Sequence, residues 1–347
     1  MVGEIIVLQH DKIGITNNAL GLAGVIAERL NATICIRKIK LRSHKLLPVL
    51  RSLTNDFETD RCKKMLRNFA FFFSDEDGKG LPKNPICIIG TQANREVPCV
   101  FLSRALDCQS VFLGPIERLS ESHFDLIIDH EGSQQAASKA IIIPIIPSAI
   151  RLRDFSGLSR PGCLIVIGGP IKHQRDNISL WTKLVDKGHE ISVATDKPLA
   201  ITTSPRTGER IEQLIEDHIV QRKIVARPFV RYGAGDRASM KELLAHANLI
   251  IVSADSATMI SEAIASGAHV IAAFYKSLQG SDKSRAFAEC QAKAGRITLW
   301  DIDSPLPLPL SQTNALEKCW SDTLWDKIQF CLNDQVTDAS RVANITK

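Results

Sequence analysis

The chain has 347 residues, a formal net charge of +5, and a composition that is 44% hydrophobic and 23% charged. These values are typical of a globular protein with room for two domains, each with a core of its own. The charge is too small, and the aromatic content of 5% too low, to indicate a protein that binds nucleic acid. We therefore expect no nucleic-acid partner.

Nine cysteines are scattered singly, without a CxxC motif or a Cys/His cluster at zinc spacing. Their odd number leaves at least one unpaired within the chain, which favours a reducing, cytoplasmic compartment. The first residues carry an acid at Glu4 and no basic stretch, which predicts a first strand and not a signal peptide. The longest apolar run, 140–150, is too short to span a bilayer. Attachment to a membrane surface stays open.

The opening pattern predicts a strand, a loop, a helix and a strand at 4–8, 9–16, 17–30 and 33–36. Asn17 or Asn18 is expected to cap the helix, because their side chains can accept from its first N–H groups. The loop carries Asp11 and Gly14. Residues that follow the first strand of a parallel sheet are placed to line a substrate site, although a polar surface loop has the same pattern.

Two further strands of the first half are predicted to end in polar groups. The strand 86–89 leads into Gly90, Thr91 and Gln92, and the strand 124–128 leads into His130 and Glu131. A histidine beside an acid is a candidate general base, because imidazole titrates near neutral pH. The alternative is a structural histidine in a loop. A strand at 140–145 closes this half, and 151–161 is interpreted as the linker.

The segment Arg37–Arg51 is the most basic part of the chain, and leucines are interleaved with its charges. Such a pattern fits contact with an anionic lipid surface, where each Lys or Arg contributes about 1 kcal/mol. It fits a solvated helix face equally well. Both interpretations remain open at this stage.

In the second half, the strand 163–167 is followed by Gly168, Gly169 and Pro170. Glycines after a strand let the backbone approach a phosphate, although neither GxGxxG nor a Walker A loop is present. Strands are predicted at 190–195 and 200–203. The second of these ends in a turn whose hydroxyls and guanidinium suit a pyrophosphate. These groups belong to Thr203, Ser204, Arg206 and Thr207.

The stretch Leu249–Phe274 predicts a strand, a tight turn, a helix and a strand, which together form a βαβ unit. Asp255 or Ser256 is expected to cap the helix, and Gly267 to end it. The N-terminus of this helix points its free N–H groups beyond the carboxyl ends of the strands, where a phosphate is stabilised. Glu262, further along the helix, is placed to accept from sugar hydroxyls unless it is a solvated surface residue.

These elements predict an α/β protein with two Rossmann-like, doubly wound domains that face each other across a cleft, as in GT-B glycosyltransferases. The predicted domains are 1–155 on the acceptor side and 156–318 on the donor side. Residues 319–347 form a C-terminal helix and tail, with the option of packing back on the first domain.

The sequence resembles the mitochondrial-fission ELM family of plants and its bacterial homologues, a group related to glycosyltransferases. The resemblance runs from the first strand to about Gly295 and is most specific in the second half. Its residues are Gly14, Asn18, Gly21, Leu22, Ala23, Gly90, Thr91, His130, Ile167–Pro170, Thr202–Ser204, Arg206, Thr207, Ala254–Ser256, Met259, Ser261, Glu262, Ala263 and Gly267. Two departures concern Arg237–Ser239, where the family usually has Asn-Pro-Tyr, and Glu131, where it usually has Asp.

The resemblance implies transfer of a sugar from a nucleotide-activated donor to a hydroxyl acceptor. The basic segment Arg37–Arg51 would suit a lipid-linked acceptor. The implied donor-binding residues are Gly168, Gly169, Pro170, Thr203, Ser204, Arg206, Thr207, Asp255, Ser256, Met259 and Glu262. The acceptor-binding residues are Gly14, Asn17, Asn18, Gly90, Thr91 and Gln92. His130, Glu131 or Asp11 is expected to deprotonate the acceptor, without a metal or another cofactor. The alternatives are a catalytically silent scaffold protein and a nucleotide-sugar epimerase or hydrolase.

Overall fold

The computed structural model describes residues 3–78, 80–82, 84–133, 135–169, 179–236, 238–275, 282–308, 310, 316 and 319–345, with backbone alone at 282 and 333–345. The chain divides into two compact units. The first unit comprises Met1–Ala149 and Trp320–Lys347, and the second comprises Ile150–Cys319.

The first unit alternates strands and helices along the chain. Its elements are β1 (Glu4–Leu8), α1 (Ile13–Leu30), β2 (Thr33–Arg37), β3 (Ile39–Leu41), α2 (Leu47–Leu53), α3 (Thr59–Met65), α4 (Phe69–Phe72), β4 (Phe73–Asp75), β5 (Pro85–Thr91), α5 (Ala93–Leu106), β6 (Gln109–Leu113), β7 (Leu126–His130) and β8 (Ile141–Ile143).

Six of these strands form one parallel sheet in the order β2-β1-β5-β6-β7-β8. The strands β3 and β4 form a separate, antiparallel pair. The central strands are buried on both faces, and Ile5, Ile6, Val7 and Leu8 of β1 have no exposed surface. This burial explains why β1 has a continuous apolar sequence without polar alternation.

Helix α1 begins at Ile13, four residues before the predicted start, so the predicted cap at Asn17 or Asn18 is wrong. The first turn is held by Thr16, whose hydroxyl accepts from the His10 N–H and donates to the His10 carbonyl, both at 3.0 Å. Because this pair ties the loop to the helix, the helix starts without a side-chain cap at Lys12. The loop after β1 is correspondingly short.

The basic segment Arg37–Arg51 is not one helix, because it contains the end of β2, then β3, a short 3-10 turn and most of α2. Most of its charges already have partners within the first unit. These partners are Gly80 O for Arg37, Glu76 for Lys38 and Lys40, Ala70 O for Arg42, Arg118 for His44, and Asp56 for Arg51. The two lysines lower the pKa of Glu76 to about 2. Contact with a membrane surface therefore stays a prediction.

The second unit has the same alternation, and its last residues lead into a helix that belongs to the first unit. Its elements are β9 (Gly162–Val166), α6 (Ser179–Ala194), β10 (Leu199–Thr202), α7 (Glu209–Arg222), β11 (Ala226–Val230), α8 (Met240–Leu244), β12 (Ala247–Ser253), α9 (Ala257–Ala265), β13 (His269–Phe274), α10 (Asp282–Lys293) and β14 (Thr298–Asp301), followed by α11 (Trp320–Ile345) in the first unit.

The second sheet is also parallel, with the order β11-β10-β9-β12-β13-β14. The predicted α/β fold class, with two Rossmann-like doubly wound sheets, is confirmed. The predicted βαβ unit is confirmed as well, since β12, α9 and β13 follow one another and Gly267 takes a φ of +71° just beyond the helix. That left-handed conformation is the one that glycine adopts at the end of a helix.

The predicted strand at 190–195 is wrong, because these residues complete helix α6. Buried positions recur at helical spacing through Leu184, Gly188 and Ile191, whereas Val193 is 66% exposed. A Cβ on Gly188 would lie 2.4 Å from the Cδ1 atom of Ile165, so the helix lies close against β9. The predicted strand at 140–145 is shorter than expected and covers Ile141–Ile143.

Helix α11 packs within the first unit, where it contacts α1, β5 and β8. Its Trp320, Leu324 and Ile328 are fully buried at helical spacing. The side chain of Asp322 forms a 2.5 Å ion pair with Arg29 of α1. Across the described residues, no helix has both the length and the apolar character needed to cross a membrane.

Two glycines of α1 offer a test of the packing between this helix and the segment after β8. A Cβ on Gly21 would lie 2.5 Å from backbone atoms of Ser148, whereas a Cβ on Gly14 would meet nothing within 4 Å. We expect Gly21→Ala to lower the free energy of unfolding by about 1–3 kcal/mol, because backbone must move to make room. Gly14→Ala should keep it or raise it by up to about 1 kcal/mol, because alanine loses less entropy in a helix. The measurement is urea unfolding, and equal midpoints for both variants would contradict the packing.

Candidate functional site

Three turns of the second unit meet at the carboxyl ends of its strands. The strand order changes direction between β9 and β12, and a crevice for ligands is expected at such a switch point. The turns after β9, β10 and β12 lie around it and contain the predicted residues 168–169, 203–207 and 254–256. Pro170, which was predicted with them, lies outside the described residues.

The carboxylate of Asp255 joins the three turns. Its Oδ2 atom accepts from Nη2 of Arg206 at 2.5 Å and from the Gly169 N–H at 3.3 Å. The neighbouring Gly168 N–H donates to the Ser253 hydroxyl at 2.8 Å. Two side chains from the end of β12 and the turn beyond it therefore hold the backbone that follows β9.

Both glycines are required by this packing. A Cβ on Gly168 would lie 2.2 Å from Oδ2 of Asp255, and one on Gly169 would lie 2.4 Å from the carbonyl carbon of Arg206. The space that was interpreted as room for a phosphate is therefore occupied by the neighbouring turns. The glycines allow those turns to approach, and their contact with a diphosphate stays a prediction.

The hydroxyls of the turn after β10 are hydrogen-bonded within the protein, and their contact with a pyrophosphate stays a prediction. Thr203 donates to Glu212 at 2.6 Å, and both Ser204 and Thr207 donate to the carbonyl of Gly168. All three residues are less than 10% exposed. Their hydrogen-bonding capacity is used to fix the turn, and Arg206 is its exposed charged residue.

The ion pair between Arg206 and Asp255 is asymmetric. The side chain of Asp255 is 9% exposed, whereas that of Arg206 is 44% exposed. Burial raises the pKa of Asp255, and Arg206, Ser253 and the Gly169 amide act against that rise. Because Arg206 contacts Asp255 through Nη2 and its side chain is half-exposed, its guanidinium can meet a further anion without losing that contact.

Helix α9 begins beside this ion pair. The predicted cap is confirmed, since the hydroxyl of Ser256 accepts from the Met259 N–H at 3.5 Å. The N-terminus of α9 therefore adds its partial positive charge to the crevice. Met259 is 9% exposed, and its contact with a donor stays a prediction.

Glu262 lies in the second turn of α9 and is neither a solvated surface residue nor an ion-pair partner. It is half-buried, and burial raises its pKa to about 7. No hydrogen bond to its carboxyl group occurs among the described residues. A carboxyl group in this state favours a ligand that supplies hydroxyl donors, because such donors stabilise its charged form.

An apolar pocket adjoins Asp255 and was not predicted. It contains about 660 Å³ of empty space, counting its open mouth, and its larger lining side chains are Leu180, Trp181, Phe274, Tyr275 and Arg285. The guanidinium of Arg285 lies 5.6 Å from the centre of the Phe274 ring. The aromatic residues at the start of α6 and the end of β13 were the available sequence signal, but each alone resembled ordinary core.

In the first unit, the structure separates the candidate bases. Asp11 follows β1 and His130 ends β7, and these two strands are roughly 14 Å apart because β5 and β6 lie between them. Nδ1 of His130 lies 3.0 Å from the carbonyl of Glu131, which can only accept, so Nε2 is the basic nitrogen. Nε2 is 3.8 Å from the fully buried carboxylate of Asp129, a neighbour that can stabilise an imidazolium.

The predicted acceptor residues do not form one surface. Gly90 and Thr91 are buried within β5 and do not form a turn, and their contact with a ligand stays a prediction. Gln92 is exposed and has φ of 66°, a conformation rare for a residue other than glycine. On α1, Gly14 and Asn17 are exposed and Asn18 is half-buried.

One charged residue beside this region was missed. Arg95, in the first turn of α5, is fully buried, and its Nε atom donates to the Gln9 carbonyl at 2.8 Å. The sequence gives no sign of this burial, because an arginine near a helix start is normally exposed. Among the described residues, no cluster of three or more His, Cys, Asp or Glu side chains is arranged to hold a metal ion.

Comparison with protein families identifies the relationship. The family model described as Mitochondrial fission ELM1 matches residues 14–331, which is far more than half of the chain. The chain belongs to this family. The predicted family resemblance is therefore confirmed. A search of curated protein sequences finds no significant match.

Solved structures with a similar course of the chain include enzymes of nucleotide sugars. MurG from Acinetobacter baumannii is 12% identical, with 89% of both chains covered and a TM-score of 0.45. The UDP-GlcNAc 2-epimerase from Methanocaldococcus jannaschii is 12% identical, with 95% of this chain and 99% of that chain covered and a TM-score of 0.49. A UDP-glucosyltransferase from Polygonum tinctorium is 9% identical, with 86% and 85% covered and a TM-score of 0.46. At identities this low, the likeness concerns the fold and not the chemistry.

The raised pKa of Glu262 predicts a pH-dependent stability. Its folded pKa is about 7, whereas an unfolded glutamate titrates near 4.3, so the folded state binds the extra proton between these values. The contribution of this carboxyl group to the free energy of unfolding is therefore fully present below about pH 4 and is lost as the pH rises through 7. We expect Glu262→Gln to gain stability relative to the parent by up to about 3 kcal/mol between pH 4.5 and pH 8.

The measurement is urea unfolding of both proteins at a series of pH values. Glu190→Gln is the matched control, because its side chain is 46% exposed and paired with Lys187. The difference between this control and the parent should change little with pH. A Glu262→Gln difference that is equally flat would contradict the burial of that carboxyl group.

Proposed function

We propose that the protein is a glycosyltransferase that moves a sugar from a nucleotide-activated donor to a hydroxyl acceptor. The observation that carries the proposal is the constellation at the switch point of the second unit. There the half-exposed Arg206 lies beside the N-terminus of α9, and the same helix carries the unpaired carboxyl group of Glu262. These groups match the two parts of a nucleotide sugar, its diphosphate and its hydroxyls.

The diphosphate would bind at Arg206 and the N-terminus of α9. An arginine and a helix N-terminus are two of the groups that recognise phosphate, and together they stabilise the charge that develops on a departing diphosphate. Glu262 would accept from hydroxyls of the ribose or the sugar. The pocket between Trp181 and Phe274 would take the apolar face of the nucleobase, because it adjoins Asp255 and is lined mainly by apolar side chains.

The acceptor would bind to the first unit, where His130 is the preferred general base. The carbonyl of Glu131 fixes the tautomer of its ring, and Asp129 can stabilise the protonated form. Asp11 is too far along the sheet to act on the same hydroxyl as His130, so the proposal assigns one base and not both. A lipid-linked acceptor, with Arg37–Arg51 against a membrane surface, stays an option within this proposal.

One observation favours a catalytically silent binding or scaffold protein as the second candidate. Arg206 already has a carboxylate partner within the protein, so its charge has a structural role even without a ligand. In that case Arg206 would matter for folding and not for nucleotide binding. An epimerase or hydrolase of nucleotide sugars would use the same donor site and differ in turning over donor without an acceptor.

Nucleotide binding tests the proposal directly. Thermal unfolding is followed with UDP, with other nucleoside diphosphates and with nucleotide sugars. A nucleotide at one hundred times its Kd should stabilise the parent by about 2.7 kcal/mol. We expect Arg206→Ala to lose this stabilisation, and Arg206→Lys, which keeps the charge without the planar fork, to retain part of it.

Arg222→Ala is the matched control in the same unit. The side chain of Arg222 is 61% exposed, and its Nε atom lies 3.5 Å from a carboxylate oxygen of Asp186, so this arginine also forms an ion pair. This variant should respond to nucleotide as the parent does. Absence of any nucleotide effect on the parent would favour the scaffold. Release of sugar from the donor in the absence of an acceptor would favour the epimerase or hydrolase.

A further inference from the structure

Arg95 is a buried cation of the first unit whose two terminal nitrogens lack hydrogen-bond partners among the described residues. Its side chain has no exposed surface, and Nε donates to the carbonyl of Gln9 at 2.8 Å. Neither Nη1 nor Nη2 has a hydrogen-bond partner among the described residues. The nearest carboxylate belongs to Asp11, whose Oδ1 lies 3.9 Å from Nη2, beyond hydrogen-bond distance.

A buried guanidinium with two unbonded terminal nitrogens is unfavourable unless further hydrogen-bond acceptors are supplied. An arginine keeps its proton in proteins, so it cannot escape burial by becoming neutral. A buried donor without an acceptor costs about 1–3 kcal/mol, and a charged one costs more. Arg160 shows the ordinary solution in the second unit, because its guanidinium donates to the carbonyls of Leu244, Ala247 and Ser266.

The position of Arg95 is that of a ligand site and not of a core contact. It lies in the first turn of α5, which follows β5, and its Nε is bound to the residue just after β1. The order of the first sheet changes direction between these two strands. Helix α5 has 14 residues, and no side chain caps its N-terminus at Gln92. Both the buried cation and the open helix end therefore attract negative charge to the switch point.

We propose that Arg95 and the first turn of α5 bind an oxyanion, the phosphate or carboxylate group of a ligand, which takes the place of the Asp11 side chain. The two Nη atoms would donate to two oxygens of the anion in a bidentate fork. Asp11 can give way, because its side chain is 56% exposed and makes no hydrogen bond to Arg95. The anion would thus supply the acceptors that the folded chain lacks.

This site defines the acceptor class if the proposed function holds. The acceptor would then carry its hydroxyl on a phosphorylated or carboxylated molecule, with the charged group held at Arg95. That assignment rests on the proposed function. The binding of an anion at Arg95 does not, because it follows from the first unit alone.

The experiment titrates the full chain with inorganic phosphate and, separately, with acetate, at constant ionic strength set by chloride. Calorimetry and thermal unfolding report binding to the parent, to Arg95→Met, and to Arg104→Met. Arg104 lies on the same helix and contacts Asp125 at the surface, so it is the matched control. We expect Arg95→Met to weaken anion binding at least tenfold, and Arg104→Met to leave it unchanged.

Asp11→Asn provides a test that does not depend on a buried substitution. It removes the carboxylate that competes with the anion, so the affinity should increase several-fold. An effect of phosphate alone would indicate a phosphorylated ligand, and an effect of acetate alone a carboxylated one. The proposal is overturned if the parent binds neither anion, or if Arg95→Met and Asp11→Asn both bind as the parent does.

The same titration in a second variant distinguishes anion binding at Arg95 from anion binding at the candidate donor site. Phosphate could also contact Arg206, so the titration is repeated in Arg206→Ala. Anion binding that persists there and disappears with Arg95→Met supports the site even if no nucleotide binds to the parent. Nucleotide binding that depends on Arg206, without any anion effect of Arg95, would support the proposed function and overturn this inference.

Discussion

The contact of Asp255 with two neighbouring turns determines the shape of the candidate donor site. Its carboxylate accepts from Arg206 and from the backbone of Gly169, and a Cβ at either Gly168 or Gly169 would collide with these turns. The three turns after β9, β10 and β12 can therefore lie this close only because the turn after β9 has no side chains at Gly168 and Gly169. The same contact holds the half-exposed Arg206 beside the start of α9.

This packing explains why the residues of one motif have different roles. The hydroxyls of Ser204 and Thr207 bind the carbonyl of Gly168 and hold the turn, whereas the guanidinium between them projects outward. A short run of polar residues after a strand thus divides into positions that form the turn and one charged position that stays half-exposed. Sequence spacing alone cannot make this division, because all four side chains are compatible with phosphate.

The fold was predictable wherever local pattern and tertiary packing agree. In β12, α9 and β13, apolar runs, the cap at Ser256 and the glycine at 267 all indicate the same unit, and the structure has it. The end of α6 was not predictable in this way, because Ile191 and Val193 have high strand propensity while the buried face has helical spacing. The pairing of Arg206 with Asp255 joins residues 49 positions apart, so no local pattern contains it.

Burial of ionisable groups was the least predictable property of the candidate sites. Glu262 and Arg95 stand on the first two turns of helices, where solvated charged residues are common, and only the surrounding packing withdraws Arg95 fully and Glu262 partly from water. Their sequence neighbourhoods give no sign of this, since each lies among residues that suit an ordinary amphipathic helix. The sequence thus indicated the edge of each sheet where a ligand would bind, but not which charge lies buried there.

The contrast between paired and unpaired buried charges distinguishes the structural framework from the candidate sites. Glu96, fully buried, accepts from three backbone amides, and Glu212 accepts from the Thr203 hydroxyl and two amides, so both are satisfied by the fold alone. Arg95 lacks acceptors for its two terminal nitrogens, and Glu262 lacks donors within the described residues. Among its described residues, the same chain thus provides hydrogen-bond partners for Glu96 and Glu212 but not for the terminal nitrogens of Arg95 or the carboxyl group of Glu262. The anion proposed at Arg95 would remove such a cost, because a buried charge with incomplete hydrogen bonding lowers stability.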